Sequence, residues 1–416
     1  MRLKDIGILN PPYKGKDLGN ELVSFSPMEC LRYDSLNTFT IPFSKGKGNY
    51  TYFGNQDILF AKVTPCFENM NFAIADKLVN DIGFGSSEIN VLRLNETAIP
   101  RYIFYLICGR EFQDIGCSSM KGVGGLRRVD PVEIISYEFD LPSLEEQQRI
   151  ADYLDRECGK IDLKVELLEK KSAAYQRLRQ SLINQTVTRG LNPDVPMKPS
   201  GIEWIGDIPE HWEIKPLRSF ITLISPERKE DKDLKLLSVT RDKGVILRGE
   251  IGEDGNHNRI PEDLTLYKVV RKNQFVINKM KAWMGSYGVS EFDGIVSPAY
   301  FVCDVKNIDK NFFSLAIRNK IYPSVFLKYS KGIRVDQWDL TPISLKEIPF
   351  STPPLEEQRE IVEYLDEKCG KIDAIIENIA MQLQHFKTLK RALINETITG
   401  KREIQNACVQ NSTLGE

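Results

Sequence analysis

The sequence of 416 residues lacks several features from which a function is usually inferred. Its formal net charge is only −2, so it has none of the basic excess that is typical of a stand-alone nucleic-acid-binding protein. It contains three histidines and eight cysteines, without a CxxC pair or a histidine at zinc-ligand spacing. It also has no signal-peptide pattern and no apolar run that could span a bilayer. We therefore expect a cytoplasmic protein with reduced cysteines and no bound metal.

Catalytic signatures are missing as well, with one exception near the start of the chain. There is no G-x-S-x-G element, no phosphate-binding loop that ends in Lys-Ser or Lys-Thr, and no PD…ExK nuclease pattern. Asn10-Pro11-Pro12-Tyr13 matches the NPPY motif of adenine-N6 methyltransferases, which hold a flipped base. Such an enzyme needs a glycine-rich loop upstream, and only nine residues precede Asn10. A turn is the simpler interpretation, and a stand-alone methyltransferase is the alternative.

What the sequence does contain is an internal repeat. Residues 144–188 and 355–399 align without a gap at an offset of 211, and 20 of 45 positions are identical. We predict a helix in each copy that ends at a C-cap glycine, Gly190 in the first and Gly400 in the second. Gly159 allows a break between a short first helix and a longer second one. A repeat of this length divides the chain into two halves, each a globular region followed by a helical element.

Apolar residues in both copies have the spacing of a coiled-coil seam. Their steps are 4, 3, 4 and 3, followed by one irregular step of 3. Each long helix would span roughly 40 Å, and its narrow apolar stripe needs a long partner. We predict that the two copies pair with each other; packing of each helix on its own globular region is the alternative. The seam residues are Ile161, Val165, Leu168, Tyr175, Leu178, Leu182, Ile372, Ile376, Ile379, Leu383, Phe386, Leu389 and Leu393.

The two globular regions share a weaker pattern. Both are predicted to be mixed α/β, with a short apolar strand at 57–63 matched by 274–280. The alternating run at 89–94 indicates a half-buried strand, and the apolar run at 102–108 indicates a buried helix. Because the helices are alike and the globular regions have diverged, we infer that the helices meet the same kind of partner twice. The globular regions are then free to bind different targets.

Two kinds of segment carry a resemblance to a known family. They are the paired P-x-LEEQ-x-x-I-x-x-YLD-x-x-CGKID segments at 142–162 and 353–373, and PSGIEWIGDIPEHWE at 199–213. This layout resembles the DNA specificity subunit of type I restriction–modification systems, over nearly the whole chain. The first half departs from it, because no IEWIG…W segment precedes its globular region.

The resemblance implies a fold. It implies two α/β (α+β) target recognition domains in tandem, each followed by a long helix. The two helices would form an antiparallel coiled coil with pseudo-two-fold symmetry, which sets the spacing between two half-sites in the DNA. The expected divisions are a first recognition domain (1–143), a first helical region (144–190), a linker with the second recognition domain (191–350), a second helical region (351–404) and a flexible tail (405–416).

The resemblance also implies a function and partners. The chain would be a non-catalytic subunit that reads a bipartite, asymmetric sequence in double-stranded DNA. It would dock two methyltransferase (modification) subunits and, through them, restriction subunits. We expect it to bind no cofactor itself, with S-adenosylmethionine, ATP and magnesium on the partner subunits. A protein–protein adaptor without a DNA role is a further alternative.

Contacts to DNA require cations for phosphates and forked or amide side chains for base edges. The candidates cluster in glycine-containing or strand-end segments, where the backbone can approach a duplex. We pair Lys62 with Lys279 and Arg127 with Arg334, because the sequence places a cation at matching positions of the two regions. The candidates are Lys45, Lys47, Lys62, Lys121, Arg127 and Arg128 in the first region, and Lys279, Lys281, Lys328, Lys331 and Arg334 in the second.

Overall fold

A computed structural model describes residues 1–123, 126–224, 234–250, 263–332, 338–402 and 404. It divides into two compact units, residues 1–169 with 380–416 and residues 170–379. Each unit contains one globular region and one half of each long helix, so its limits differ from those of the predicted domains. No helix within the described residues is both long and apolar enough to cross a bilayer. No group of three or more His, Cys, Asp or Glu among them could hold a metal ion.

The first unit contains two four-stranded sheets next to a group of short helices. One sheet is antiparallel. The other contains one parallel pair, formed by the strands Leu22–Ser26 and Ile82–Gly85. Aromatic rings, including Phe60, Phe72 and Phe112, form the core between the antiparallel sheet and the helices. The strands of the two sheets are Gly7–Leu9, Ile89–Leu94, Ile58–Ala61 and Phe72–Ile74, then Phe39–Pro42, Leu22–Ser26, Ile82–Gly85 and Thr51–Gly54. The short helices are Leu3–Ile6, Phe43–Gly46, Pro100–Ile107, Arg110–Ser118 and Pro131–Ser136, and a small hairpin joins Leu31–Arg32 to Ser35–Leu36.

The second unit repeats the antiparallel sheet in the same strand order. Its strands are Ile221–Leu223, Tyr300–Val305, Phe275–Asn278 and Tyr287–Val289. Two-stranded ribbons take the place of the other sheet: Leu237–Thr240 with Gly244–Leu247, and Lys268–Val270 with Gly294–Val296. Two further ribbons join Met197–Pro199 to Asp207–Pro209 and Glu213–Pro216 to Pro349–Thr352. The short helices are Lys310–Ile317, Tyr322–Tyr329 and Pro342–Glu347.

Most predicted elements of the scaffold are confirmed. The strands at Ile58–Ala61 and Phe275–Asn278 are buried along their whole length, and Pro100–Ile107 is a buried helix. The run at Ile89–Leu94 is a strand, but its first four residues are all buried, because it is a central strand with neighbours on both sides. The prediction that this strand is half-buried is therefore wrong for its first four residues.

The predicted break at Gly159 is also wrong, because the long helices are continuous. They run over Leu144–Arg189 and Leu355–Ile398. Gly159 is exposed, and the neighbouring Cys158 and Ile161 are buried. A helical glycine costs only about 1 kcal/mol relative to alanine, which packing on both sides of it can offset. The glycines at the ends behave as predicted, since Gly190 and Gly400 have φ angles of 75° and 68°.

A buried glutamine attaches each long helix to its globular region. The amide oxygen of Gln147 accepts from the backbone N–H of Ile99 at 2.8 Å, and its amide nitrogen donates to the carbonyl of Pro142 at 2.9 Å. Gln358, at the same place in the second copy, bonds the N–H of Asp309 and the carbonyl of Pro353, each at 2.8 Å. Because both side chains are almost fully buried, they explain why the repeat carries a glutamine here.

Candidate nucleic-acid interface and helix pairing

Four predicted cations of the first region lie around one irregular β-ladder, which we call the first basic ladder (Lys62, Lys121, Arg127 and Arg128). The backbone N–H of Val129 donates to the carbonyl of Lys62 at 2.9 Å. Arg128 and Lys121 exchange two backbone hydrogen bonds, each of 2.9 Å. Arg127 precedes Arg128 on the same segment. Residues 60 positions apart in sequence are thus brought to one end of a buried strand.

Two members of this ladder are paired with carboxylates. Arg128 binds both oxygens of Glu88 at 2.8 Å, and this hydrogen bonding holds the pKa of Glu88 below its ordinary value. Lys121 contacts Asp130 at 2.5 Å, which likewise lowers the pKa of that carboxyl group. The two cations are exposed, so these pairs add little to the stability of the fold. Both cations would have to exchange a carboxylate for a phosphate on binding DNA.

The other two members are available. Neither the half-buried ammonium group of Lys62 nor the exposed guanidinium group of Arg127 forms an ion pair or a side-chain hydrogen bond with any described residue. A guanidinium fork reads guanine in the major groove, and an ammonium group suits a phosphate. Within the first basic ladder these two are therefore the predicted DNA contacts that have no ion pair with a described residue.

Lys45 and Lys47 lie apart from the ladder, on and after the short helix Phe43–Gly46. Lys47 forms an ion pair with Asp17 at 2.8 Å and lies over the ring of Phe43. Lys45 borders a shallow cavity of about 510 Å³ that is lined mainly by aromatic and aliphatic side chains and by Asn49. Two rings of this groove, Phe39 and Tyr50, are 51% and 44% exposed. Sequence reasoning missed this aromatic groove, since its rings come from separate segments of the chain.

The second region has the same backbone ladder, which we call the second ladder (Lys279, Lys331, Trp338 and Asp339). The N–H of Leu340 donates to the carbonyl of Lys279 at 3.1 Å, as Val129 does to Lys62. Lys331 and Asp339 exchange backbone hydrogen bonds of 3.1 and 2.9 Å. The predicted equivalence of Lys62 and Lys279 is therefore confirmed in the backbone.

The predicted equivalence of Arg127 and Arg334 is wrong. Arg334 lies outside the described residues, and the ladder places Asp339 opposite Arg128, so Trp338 corresponds to Arg127. The sequence match paired two Gly-x-Arg segments at an offset of 207, whereas the ladder positions of the two regions are related by offsets of 210 and 211. Trp338 is half-buried and packs edge-on against Trp283 with ring centroids 4.9 Å apart.

Charges around the second ladder also differ from the first. Lys279 forms an ion pair with Asp339 at 2.9 Å. Lys268, which sequence reasoning missed, donates to the carbonyl of Tyr300 at 2.7 Å. Burial and, to a smaller extent, the charge of Lys279 lower the pKa of Lys268. An aspartate thus stands where the first region has an arginine, and an indole stands where it has a guanidinium group.

The remaining candidates of the second region have different surroundings. Lys281 is exposed just before the short helical turn Ala282–Met284. Lys328 lies over the indole ring of Trp204 at 4.3 Å, so it packs against the linker. Among the described residues, no ion pair or side-chain hydrogen bond joins Lys328 to the second ladder. It is therefore the weakest of the predicted contacts to DNA.

The Asn-Pro-Pro-Tyr segment is built into the fold. The side-chain oxygen of Asn10 accepts from the N–H of Val91 at 2.9 Å, and its amide nitrogen donates to Asn90. The hydroxyl of Tyr13 donates to the carbonyl of Lys16 at 2.7 Å, and its ring packs between Phe43 and Tyr52. Groups that would hold a flipped adenine in a methyltransferase are therefore engaged in structural contacts.

The predicted seam is corrected near the end of each long helix. Leu178 and Leu389 are 52% and 41% exposed. The seam passes instead through the next residues, Arg179 and Lys390, which restores regular steps of 3 and 4. The other predicted seam residues are buried or half-buried: Ile161, Val165, Leu168, Tyr175, Leu182, Ile372, Ile376, Ile379, Leu383, Phe386 and Leu393.

Ion pairs join the two long helices within each unit. In the first unit, Lys390 contacts both carboxylate oxygens of Asp162 at 2.7 Å. In the second unit, Arg179 contacts Asp373 at 2.8 Å. These two pairs are equivalent under the 211-residue offset. Charged residues in an apolar seam set register and orientation at some cost in stability.

The helices are antiparallel within each unit, as predicted. In the first unit, Lys164 lies over Phe386, while Asp162 meets Lys390. The residue number of the contact on the second helix therefore decreases as the residue number on the first helix increases. The second unit shows the same direction independently, because Gly190 lies beside Glu357 while Arg179 meets Asp373.

Comparisons with known proteins show which family has this architecture. The model of a family described as the type I restriction modification DNA specificity domain matches residues 9–171 and 209–385. The EcoAI specificity subunit of Escherichia coli is 37% identical over 36% of this chain and 26% of its own length. The EcoEI specificity subunit of the same organism is 31% identical over 46% of this chain and 33% of its own length. The chain thus matches a third or less of the length of these curated relatives.

A solved structure shares the fold. A chain from work on complex assembly and conformational transition of the type I R-M system has a TM-score of 0.70 at 17% identity, covering 96% of each chain. The resemblance seen in the sequence is therefore confirmed, as is the fold of two recognition regions with a long helix after each. The family model describes a DNA specificity domain, and both curated relatives are named as specificity subunits.

Proposed function

Because the chain belongs to the type I restriction–modification DNA specificity domain family, we propose that it reads a bipartite, asymmetric sequence in double-stranded DNA. Each globular region reads one half, and the paired long helices set the distance between the halves. The chain also docks two methyltransferase subunits and, through them, restriction subunits. It carries out no reaction of its own.

One observation carries the DNA part of this proposal. Both regions place a lysine at the end of the same buried strand, next to the same two-segment ladder: Lys62 beside Arg128 and Lys279 beside Asp339. A scaffold that is repeated in the backbone and varied in the side chains suits two readers of different sequences. The aromatic pair of the second region adds apolar surface that can contact a thymine methyl group or a sugar.

The small net charge of the chain supports DNA binding in which partner subunits supply part of the phosphate contacts. With a net charge of −2, the chain is a poor electrostatic partner for a duplex by itself. Methyltransferase subunits that enclose the DNA would supply the missing phosphate contacts, together with S-adenosylmethionine. ATP and magnesium belong to the restriction subunits. A complex that acts on chromosomal DNA works in the cytoplasm of its host, which is where we place this chain.

Exchange of one recognition region tests the proposal most directly. Residues 1–143 are replaced by those of another family member, and the host is analysed by single-molecule methylation sequencing. We expect one half-site of the methylated motif to change while the other half-site and the spacer stay the same. A methylation pattern that is unaltered by the exchange would refute the assignment of one half-site to each region.

Dependence on the partner gives a second test. We expect the isolated chain to bind its DNA weakly, and the complex with the methyltransferase subunit to bind much more tightly in a filter-binding titration. Calorimetry with S-adenosylmethionine provides the control, since the isolated chain should release no binding heat. Equal DNA affinity with and without the partner would contradict the proposal that the methyltransferase subunits supply phosphate contacts.

A further inference from the structure

An exposed methionine of the second region directly follows the lysine that the two ladders share. Met280 is 56% exposed, and Met284, further along the same turn, is exposed as well. We call residues 278–286 the Met280 turn. Building on the proposed function, we propose that Met280 contacts the methyl group of a thymine in the half-site that the second region reads. Met280 would then determine the identity of one base pair.

The equivalent position of the first region is buried. Val63 follows Lys62 and is only 7% exposed, whereas Met280 follows the equivalent Lys279. In the first region the ladder continues beyond this position, because the N–H of Thr64 donates across the ladder at 2.9 Å. The side chain of Val63 is therefore enclosed by the fold, and it is not available to a ligand.

The second region turns back at the corresponding place. The N–H of Lys281 donates to the carbonyl of Asn278 at 3.0 Å, and that of Met280 donates to the side-chain oxygen of Asn278 at 3.2 Å. The N–H of Asn278 donates to the carbonyl of Ser286 at 3.0 Å. The indole N–H of Trp283 donates to the carbonyl of Met280 at 3.1 Å. Hydrogen bonds thus fix the backbone of the turn that exposes Met280.

The cations near the turn indicate a polyanionic partner. Lys281 and Lys331 are exposed, and neither forms an ion pair with any described residue. Lys279 is paired with Asp339. Unpaired ammonium groups suit the phosphates of a duplex. The charges therefore favour DNA as the partner of the exposed methionine, which stands between Lys279 and Lys281 in the sequence.

The chemistry of the methionine side chain limits what it can read. In the major groove the methyl group of thymine is the apolar feature of a base edge, and the other features donate or accept hydrogen bonds. A methionine chain is unbranched and adaptable, so it can pack against such a methyl group. Trp283 and Trp338, with ring centroids 4.9 Å apart, extend the apolar surface beside it. The surface thus suits an A·T pair.

Replacement of thymine by uracil tests this contact, because uracil lacks the methyl group and keeps the hydrogen-bonding pattern. Methylation sequencing first identifies the half-site of the second region. Duplexes in which each thymine of that half-site is singly replaced by uracil are then titrated with the complex of the chain and its methyltransferase subunit. We expect one replacement to weaken binding by about fourfold, the effect of removing one buried methyl group. With Met280→Ala, the thymine and uracil duplexes should bind equally.

Met197→Ala is the matched control, because Met197 is also an exposed methionine, at 42%, on the strand Met197–Pro199. This variant should keep the preference for thymine. Met280→Leu should keep it too, since leucine retains an apolar side chain. Thermal unfolding of each variant checks that the chain remains folded.

Equal affinity of the unaltered complex for the thymine and uracil duplexes would overturn the proposal. So would a thymine preference that survives Met280→Ala, or a second half-site without thymine on either strand. Weaker binding of the methyltransferase subunit by the Met280→Ala chain would also overturn it, since Met280 would then contact protein. The proposed function would stand in each case, because exchange of residues 1–143 measures it separately.

Discussion

The two recognition regions have the same ladder in the backbone and opposite chemistry in the side chains. Arg128 corresponds to Asp339, and Arg127 corresponds to Trp338, while Lys62 and Lys279 keep both the charge and the position. A buried strand and its hydrogen bonds constrain the backbone, because buried polar groups must be paired. The side chains of the ladder take no part in these backbone hydrogen bonds, so they are under no such constraint. The comparison shows where this fold is fixed and where it is free to change its target.

The helix junctions show a different balance. Gln147 and Gln358 make the same contacts at the same distances, to within about 0.1 Å. Beside them, Glu357 holds Trp212, whereas Glu146 faces an open cavity. The part of the junction that attaches helix to domain is therefore repeated, and the part that closes its outer side is not.

Removal of Trp212 should have the largest effect on stability, and it should destabilise the second unit without affecting the first. Trp212→Ala empties a fully buried site, so we expect a loss of about 3–5 kcal/mol in the free energy of unfolding of the second unit. Hydrogen exchange measured by mass spectrometry should show faster exchange in the second unit only. Trp204→Ala, at a half-buried residue, should cost less. An equal increase of the hydrogen-exchange rate in both units would contradict the expectation that Trp212 stabilises only the second unit.

Replacement of the buried glutamines should affect the two units alike. Gln147→Leu and Gln358→Leu each leave a buried backbone N–H and carbonyl unpaired, and we expect each to cost about 2–4 kcal/mol. Faster exchange should appear at Ile99 in the first variant and at Asp309 in the second. Gln148→Leu, at the neighbouring exposed position, is the control. A large effect in one unit and none in the other would show that the junctions are not equivalent.

The ladder residues should differ in the type of their contribution to DNA affinity. In the complex with the methyltransferase, we expect Arg127→Ala and Trp338→Ala each to weaken binding by about 1–3 kcal/mol. Only loss of the guanidinium charge should reduce the dependence of affinity on salt. Lys328→Ala should change neither quantity, because this lysine packs on Trp204. An equal change of the salt slope in the Arg127 and Trp338 variants would contradict the assigned roles.

The ion pairs of the seam should give the smallest effects. Double-mutant cycles to alanine on Asp162 with Lys390 and on Arg179 with Asp373 should give coupling energies of about 0.5–1 kcal/mol, measured by urea unfolding. We expect the first value to be larger, because the side chain of Lys390 is 15% exposed and that of Arg179 is 39% exposed. Coupling of the reverse order would show that burial does not govern these pairs.

Particular residues show why prediction from the sequence stopped where it did. Helix periodicity predicted Ile161 and Leu393 correctly, but it chose Leu178 and Leu389 over Arg179 and Lys390. Hydrophobicity is a poor guide when a cation in a seam is neutralised by a carboxylate on the facing helix. Matching by residue type likewise paired Arg127 with Arg334, since each arginine follows a glycine by two residues and the hydrogen bonds that anchor the loop are invisible in the sequence.

The sequence by itself determined the two-fold organisation, the long helices with their terminal glycines, the buried strands and the family, because repeats and periodicities are local properties of a chain. Only the tertiary structure decided which separate segments of the chain meet: the two ladders, the ion pairs of the seam, the glutamine junctions and the cavity beside Glu146. These features depend on contacts between distant segments, whose register is set by burial and hydrogen bonding in three dimensions.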